Sequence, residues 1–146
     1  MKKYLLIIFL FFTPFVYAFQ GDNRPRISPA EFRAKQIEFI TKDAGLTDDE
    51  AAKFFPVFFE LGDKKRALND QSWQLIHQSD DENLTEDQYK KILDGIYNNR
   101  LAIDRLEKTY LYKFRKIIPY KKILKVHRAE MRFSRFMIRQ MPRPNK

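Results

Sequence analysis

Only two histidines, His77 and His127, stand in this chain, and no cysteine accompanies them. Zinc chemistry needs three or four nitrogen, sulfur or carboxylate ligands converging on one point. Here such a site would have to gather Asp80, Asp81 or Glu82 around His77, a weak ligand set at the polar end of a helix. Since His127 lies among apolar residues, it is expected to be an interior or interface histidine. No glycine-rich phosphate loop, nucleophile elbow or metalloprotease helix occurs, and the scattered carboxylates show no pairing suited to acid and base work. The sequence is read as that of a non-enzyme, with no cofactor and no metal site expected.

Chemistry of another kind is concentrated near the C-terminus. Residues 19–98 carry 11 Lys/Arg against 16 Asp/Glu, whereas residues 99–146 carry 15 against 3. On a wheel of ~100° per residue, Tyr120, Ile123, Leu124, His127, Met131, Ile138 and Met141 share one face, flanked by Val126, Phe133 and Met137. Lys121, Lys125, Arg128, Arg132, Arg135 and Arg139 share another. The apolar face is expected to be a buried stripe beneath a solvated basic one. Because Glu130 is the only acid after Glu107, the basic stripe has almost no internal neutralisation, and a partner that offsets the repulsion is expected. The candidate binding residues are Arg128, Arg132, Arg135 and Arg139 with Phe133, Phe136 and Met137. For the last three, dimer or core packing is an equal alternative.

These residues need elements to position them. The first 20 residues, "MKKYLLIIFLFFTPFVYAFQ", put Lys2 and Lys3 before an apolar run and end in small Ala18 with Val16 two places earlier. That layout is expected of a secretory signal peptide occupying residues 1–18, with cleavage after Ala18. A retained anchor is the alternative, although Thr13 and Pro14 interrupt the run short of the ~20 residues a spanning helix needs. Export makes nucleic acid a poor partner for the basic region and favours unfolded polypeptide, an acidic protein surface or anionic lipid. Residues 19–27 are expected to be a flexible arm, 28–141 a single domain, and 142–146 a disordered tail.

Within the domain, Ser28-Pro29-Ala30-Glu31 opens a first helix and Gly45 closes it. A second helix runs from Thr47 to about Gln78 and a third from Thr85 to about Ile118, where Pro119 either kinks the path or begins a fourth. At ~1.5 Å per residue the two long helices reach ~45 Å, beyond the ~30 Å of a small domain. The expected fold is all-α: an elongated, bent hairpin of four helices, with bends possible at Pro56, Gly62 and Gly95.

Both long helices begin on the same words. "LTEDQ" supplies Leu84, Thr85 and Gln88, and "LTDDE" supplies Leu46, Thr47 and Glu50. In a capping box the threonine hydroxyl accepts from the amide three residues on, while the Gln or Glu side chain accepts the threonine's own amide. Each cap contributes ~1 kcal/mol, so the motif is expected to start helices and to touch no substrate.

Two such helix starts in a small, exported, cysteine-free, basic and helical chain resemble the Spy/CpxP family of periplasmic proteins, which carries the LTxxQ motif. The second copy matches fully, and the first has Glu50 where the family usually has Gln. "KFFPVFFEL" (53–61) and "IPYKKILKVHRAEMRFSRFMI" (118–138) are similar to segments of Spy-like proteins from Bacteroidetes. The resemblance implies a curved helical hairpin that dimerises into a cradle with a basic and apolar concave face. It also implies an ATP-independent periplasmic holdase for unfolded proteins, linked to envelope stress. The alternative it implies is an accessory regulator of a membrane stress sensor's exported domain; zinc binding, a third family trait, finds few ligands here. A basic amphipathic helix lying on an anionic membrane ranks below these.

Overall fold

Four helices make up the described part of the chain, with no strand among the described residues. They are α1 (Pro29–Ala44), α2 (Asp48–Gln78), α3 (Glu86–Arg115) and α4 (Tyr120–Gln140). The structure is a computed structural model and describes residues 27–80 and 83–140. The expected signal peptide, most of the arm, Met141 and the tail lie outside those residues, as do Asp81 and Glu82.

Local chemistry accounts for the helix ends. Ser28 Oγ accepts the Glu31 amide at 3.1 Å and Pro29 occupies the first turn, where its missing N–H costs nothing. The Glu31 carboxylate pairs with Lys35 at 3.2 Å. Gly45 ends α1 in the left-handed region, φ 67°, and its amide bonds Thr41 O. The third helix stops at Arg115, three residues short of its expected end, and Ile118 is buried in the turn that follows. Pro119 O then accepts the amides of Lys122 and Ile123 at 2.9 and 3.1 Å, so this proline begins a fourth helix. Helix α2 is continuous through Pro56 and Gly62.

The helices associate as two pairs. Antiparallel packing of α2 on α3 is fixed by Tyr110 Oη donating to Glu60 at 2.6 Å, by the Lys65–Glu107 ion pair, and by Asn99 Nδ2 donating to Ser72 Oγ at 3.1 Å. Gly95 faces Leu75 of α2: a Cβ added there would stand 2.7 Å from Leu75 Cδ1, the end of a flexible side chain that would have to turn aside. Helix α1 packs on α4: the Phe133 ring lies 5.3 Å from that of Phe32 and 5.6 Å from that of Phe39, and Arg132 pairs with Asp43. All four helices meet near the α1–α2 and α3–α4 turns, where Ile40, Phe54, Tyr110, Ile118, Val126 and Ala129 share one core. Burying each of the large side chains contributes ~1.5–3 kcal/mol.

Two expectations about α4 are corrected by this packing. Its buried stripe is Val126, Phe133 and Met137, expected only to flank it, together with Ala129. Tyr120, Leu124, Met131 and Ile138, expected to be buried, are 44–66% exposed. The cause is Ala129, fully buried: its small side chain lets α1 close on that side of a helix that is apolar around more than half its circumference. His127 is exposed and lines the open cavity between the helix pairs, so it is not an interior histidine.

Candidate binding surface

The repeated motif forms helix caps in both copies. Thr85 Oγ1 accepts the Gln88 amide at 3.3 Å while Gln88 Oε1 accepts the Thr85 amide at 2.8 Å. Thr47 and Glu50 make the same exchange at 3.2 and 2.9 Å. Leu46 is buried in the core and Leu84 is half-buried. Glu50 does something Gln could not: its carboxylate also pairs with Lys122 of α4. Those hydrogen bonds, to Lys122 foremost and then to the Thr47 amide, hold its pKa below the ordinary value. The departure from Gln in the first copy thus ties the start of α2 to α4.

The candidate residues of α4 divide between its two sides. Phe133 and Met137 are buried, Phe133 directly against α1. Phe136 is 46% exposed and stacks on Phe39 at 6.2 Å. Arg132 spends two of its nitrogens on Asp43. Arg128, Arg135 and Arg139 are exposed and have no ion-pair partner among the described residues. The basic stripe therefore stands on the outer side of α4, with the exposed row of Leu124, Met131 and Ile138 along one edge.

Between the two helix pairs lies an open cavity of about 870 Å³. Its floor is the aromatic run of α2, where Phe54 packs on Phe114 at 4.8 Å and Phe58 stands beside it. Leu111 and Leu124 line it too. Its charged residues include Arg33, paired with Asp63 at 2.8 Å, and Glu130 of α4. Burial is the main cause that pushes the Glu130 pKa up, with Glu107 adding to it, while nearby Lys65 and His127 pull it down.

The cavity face of the α2/α3 pair does not end where α1 and α4 stop covering it. On α2, Phe58, Gly62 and Arg66 line the cavity, and the same three- and four-residue steps lead on to Asn69, Trp73 and Ile76. On α3, Leu111, Lys108 and Asp104 line it and lead back to Leu101, Tyr97 and Leu93. Trp73, Leu93, Tyr97 and Leu101 are 52–60% exposed, and Ile76 is 38% exposed. Sequence reasoning singled out no residue of this row as a binding residue. Ile92, the buried neighbour of Leu93, was the signal that α3 carries two apolar stripes.

At the far end His77 Nδ1 is 3.5 Å from Asp80, beside the Trp73 ring. No group of three potential metal ligands converges among the described residues, and none of their helices is long and apolar enough to cross a membrane. No family model, curated protein or solved structure matches the chain.

Proposed function

We propose that this chain is an exported, ATP-independent holdase that keeps unfolded polypeptides from aggregating. The observation that carries the reading is the uncovered apolar row of Trp73, Ile76, Leu93, Tyr97 and Leu101, continuous with an aromatic-floored cavity. Single exposed apolar side chains are ordinary, but an aligned row of them marks a binding surface. Five shallow contacts of this kind hold an apolar segment weakly, so release needs no nucleotide. The exposed Arg128, Arg135 and Arg139, without an ion-pair partner among the described residues, attract acidic clients from a distance and make capture salt-dependent.

In this reading the chain is a Spy-like protein of the periplasm, its α2/α3 pair the arm of a cradle that a second copy completes. The two Leu-Thr-x-x-Gln/Glu caps and the length of α2 and α3, 31 and 30 residues, support that assignment. The test is light scattering from two unrelated unfolding proteins, one acidic and one basic, without nucleotide. Suppression of both at near-stoichiometric ratios is expected. Failure to suppress either overturns the reading, and the dedicated sensor regulator then takes its place.

A further inference from the structure

The side of α4 away from α1 carries an exposed seam of a second kind, whose first half, Tyr120, Leu124 and His127, also lines the cavity. Tyr120, Leu124, His127, Met131, Ser134 and Ile138 follow one another at alternating steps of four and three residues, the spacing of a coiled-coil seam. All six are exposed; among the large apolar ones, Leu124 is 53% and Ile138 66% exposed. From Tyr120 to Ile138, 19 residues at ~1.5 Å per step, this seam is ~27 Å long. Phe133 and Met137, the residues of α4 buried towards α1, lie on the other side of the helix from this seam.

The two flanks of the seam differ. One is formed by Lys121, Arg128 and Arg135, all exposed and without an ion-pair partner among the described residues. Ile123, Glu130 and Met137 form the other and are turned into the chain's own core and cavity. A helix docking here therefore meets one open flank, and that flank is uniformly positive. A second copy of this chain is a poor occupant: its only free flank would set Lys121, Arg128 and Arg135 against the same cations.

We propose that this seam docks an amphipathic helix of another protein, one that carries acidic residues beside its apolar stripe. The inference shares Arg128, Arg135 and Leu124 with the holdase reading but uses no residue of the apolar row on α2 and α3, so peptide docking and suppression of aggregation fail separately. Met131 gives the seam tolerance of shape, and the three cations set orientation by repelling a helix that presents its basic side.

The test uses the whole protein and two synthetic helical peptides with the same leucine seam, one flanked by Glu and one by Lys. The Glu peptide is expected to bind at least about tenfold tighter than the Lys peptide. Arg128→Glu with Arg135→Glu should reverse that preference, and Met131→Glu with Ile138→Glu should abolish binding of both. These positions are exposed, so circular dichroism should report an unchanged fold. Loss of the charge reversal, or binding of neither peptide, overturns the proposal. Self-association abolished by Ile138→Glu would assign the seam to a second copy instead. Binding to vesicles of phosphatidylglycerol and phosphatidylcholine, lost in the same variant while peptides go unbound, would assign it to an anionic membrane.

Discussion

At the scale of single residues, the same motif does different work in its two copies. Thr85 and Gln88 only start a helix, so Thr85→Ala is expected to cost ~1 kcal/mol and lower Tm by about 3–6 °C. Peptide and client binding per folded molecule should not change, and a variant that binds less at an unaltered Tm would contradict the capping role. Glu50, tied to both Thr47 and Lys122, was legible in the sequence as a cap. Its second bond was not, because nothing local to residue 50 announces that α4 returns to it. Glu130 gives a pH-dependent test. Its folded pKa is raised above the ordinary 4.5, chiefly by burial, so the ionised form destabilises the fold above that range and the protonated form does not. Glu130→Gln is expected to raise Tm near neutral pH, with the gain disappearing below about pH 4. Glu60 works in the opposite sense. Bonds from Lys64 first and Tyr110 second hold its pKa down to about 2, so its contribution is present above 4.5 and lost as pH falls towards 2. Thermal melts of the Glu60→Gln variant should consequently lose less Tm between neutral pH and about pH 3 than the unaltered protein does.

At the scale of elements, the sequence located the first three helices with their N-caps and left Pro119 as a kink or the start of a fourth, and it did not fix the rotation of α4 about its own axis. A 3.6-residue period specifies that an apolar stripe exists; when a helix is apolar on two adjoining sides, tertiary packing decides which is covered. The fully buried Ala129 records that decision, and no propensity at position 129 predicts it. The consequence is measurable. Phe133→Ala should cost about 3–5 kcal/mol as a core deletion, whereas Arg128→Ala should stay within about 0.5 kcal/mol. Equal losses at the two positions, measured by urea unfolding, would contradict the orientation of α4 described above. Reversing Arg128, Arg135 and Arg139 to Glu should weaken capture of an acidic client and flatten its salt dependence, leaving the fold intact. Arg132 is left out of that set because it holds α1 through Asp43.

At the scale of the whole molecule, the length of α2 and α3 was legible from cap to cap, and with it the impossibility of burying every apolar residue. What the sequence did not reveal is where the uncovered surface lies, because that depends on how far α1 and α4 reach along the long pair. Arg33 meets Asp63 and Phe59, and α4 reaches the level of Lys65 through Glu130, so the surface beyond is left to Trp73, Ile76, Leu93, Tyr97 and Leu101. Trp73 is the chain's only tryptophan and stands in that row, 60% exposed. It reports on the surface without any label. The measurement that tests the holdase reading most directly is Trp73 emission during titration with a permanently unfolded, tryptophan-free polypeptide, repeated on a Tyr97→Ser, Leu101→Ser variant. A blue shift that saturates near stoichiometry, and that weakens markedly in the variant, is the predicted result. Client binding with unchanged emission, or with the same affinity in the variant, would contradict the placement of the client surface on α2 and α3.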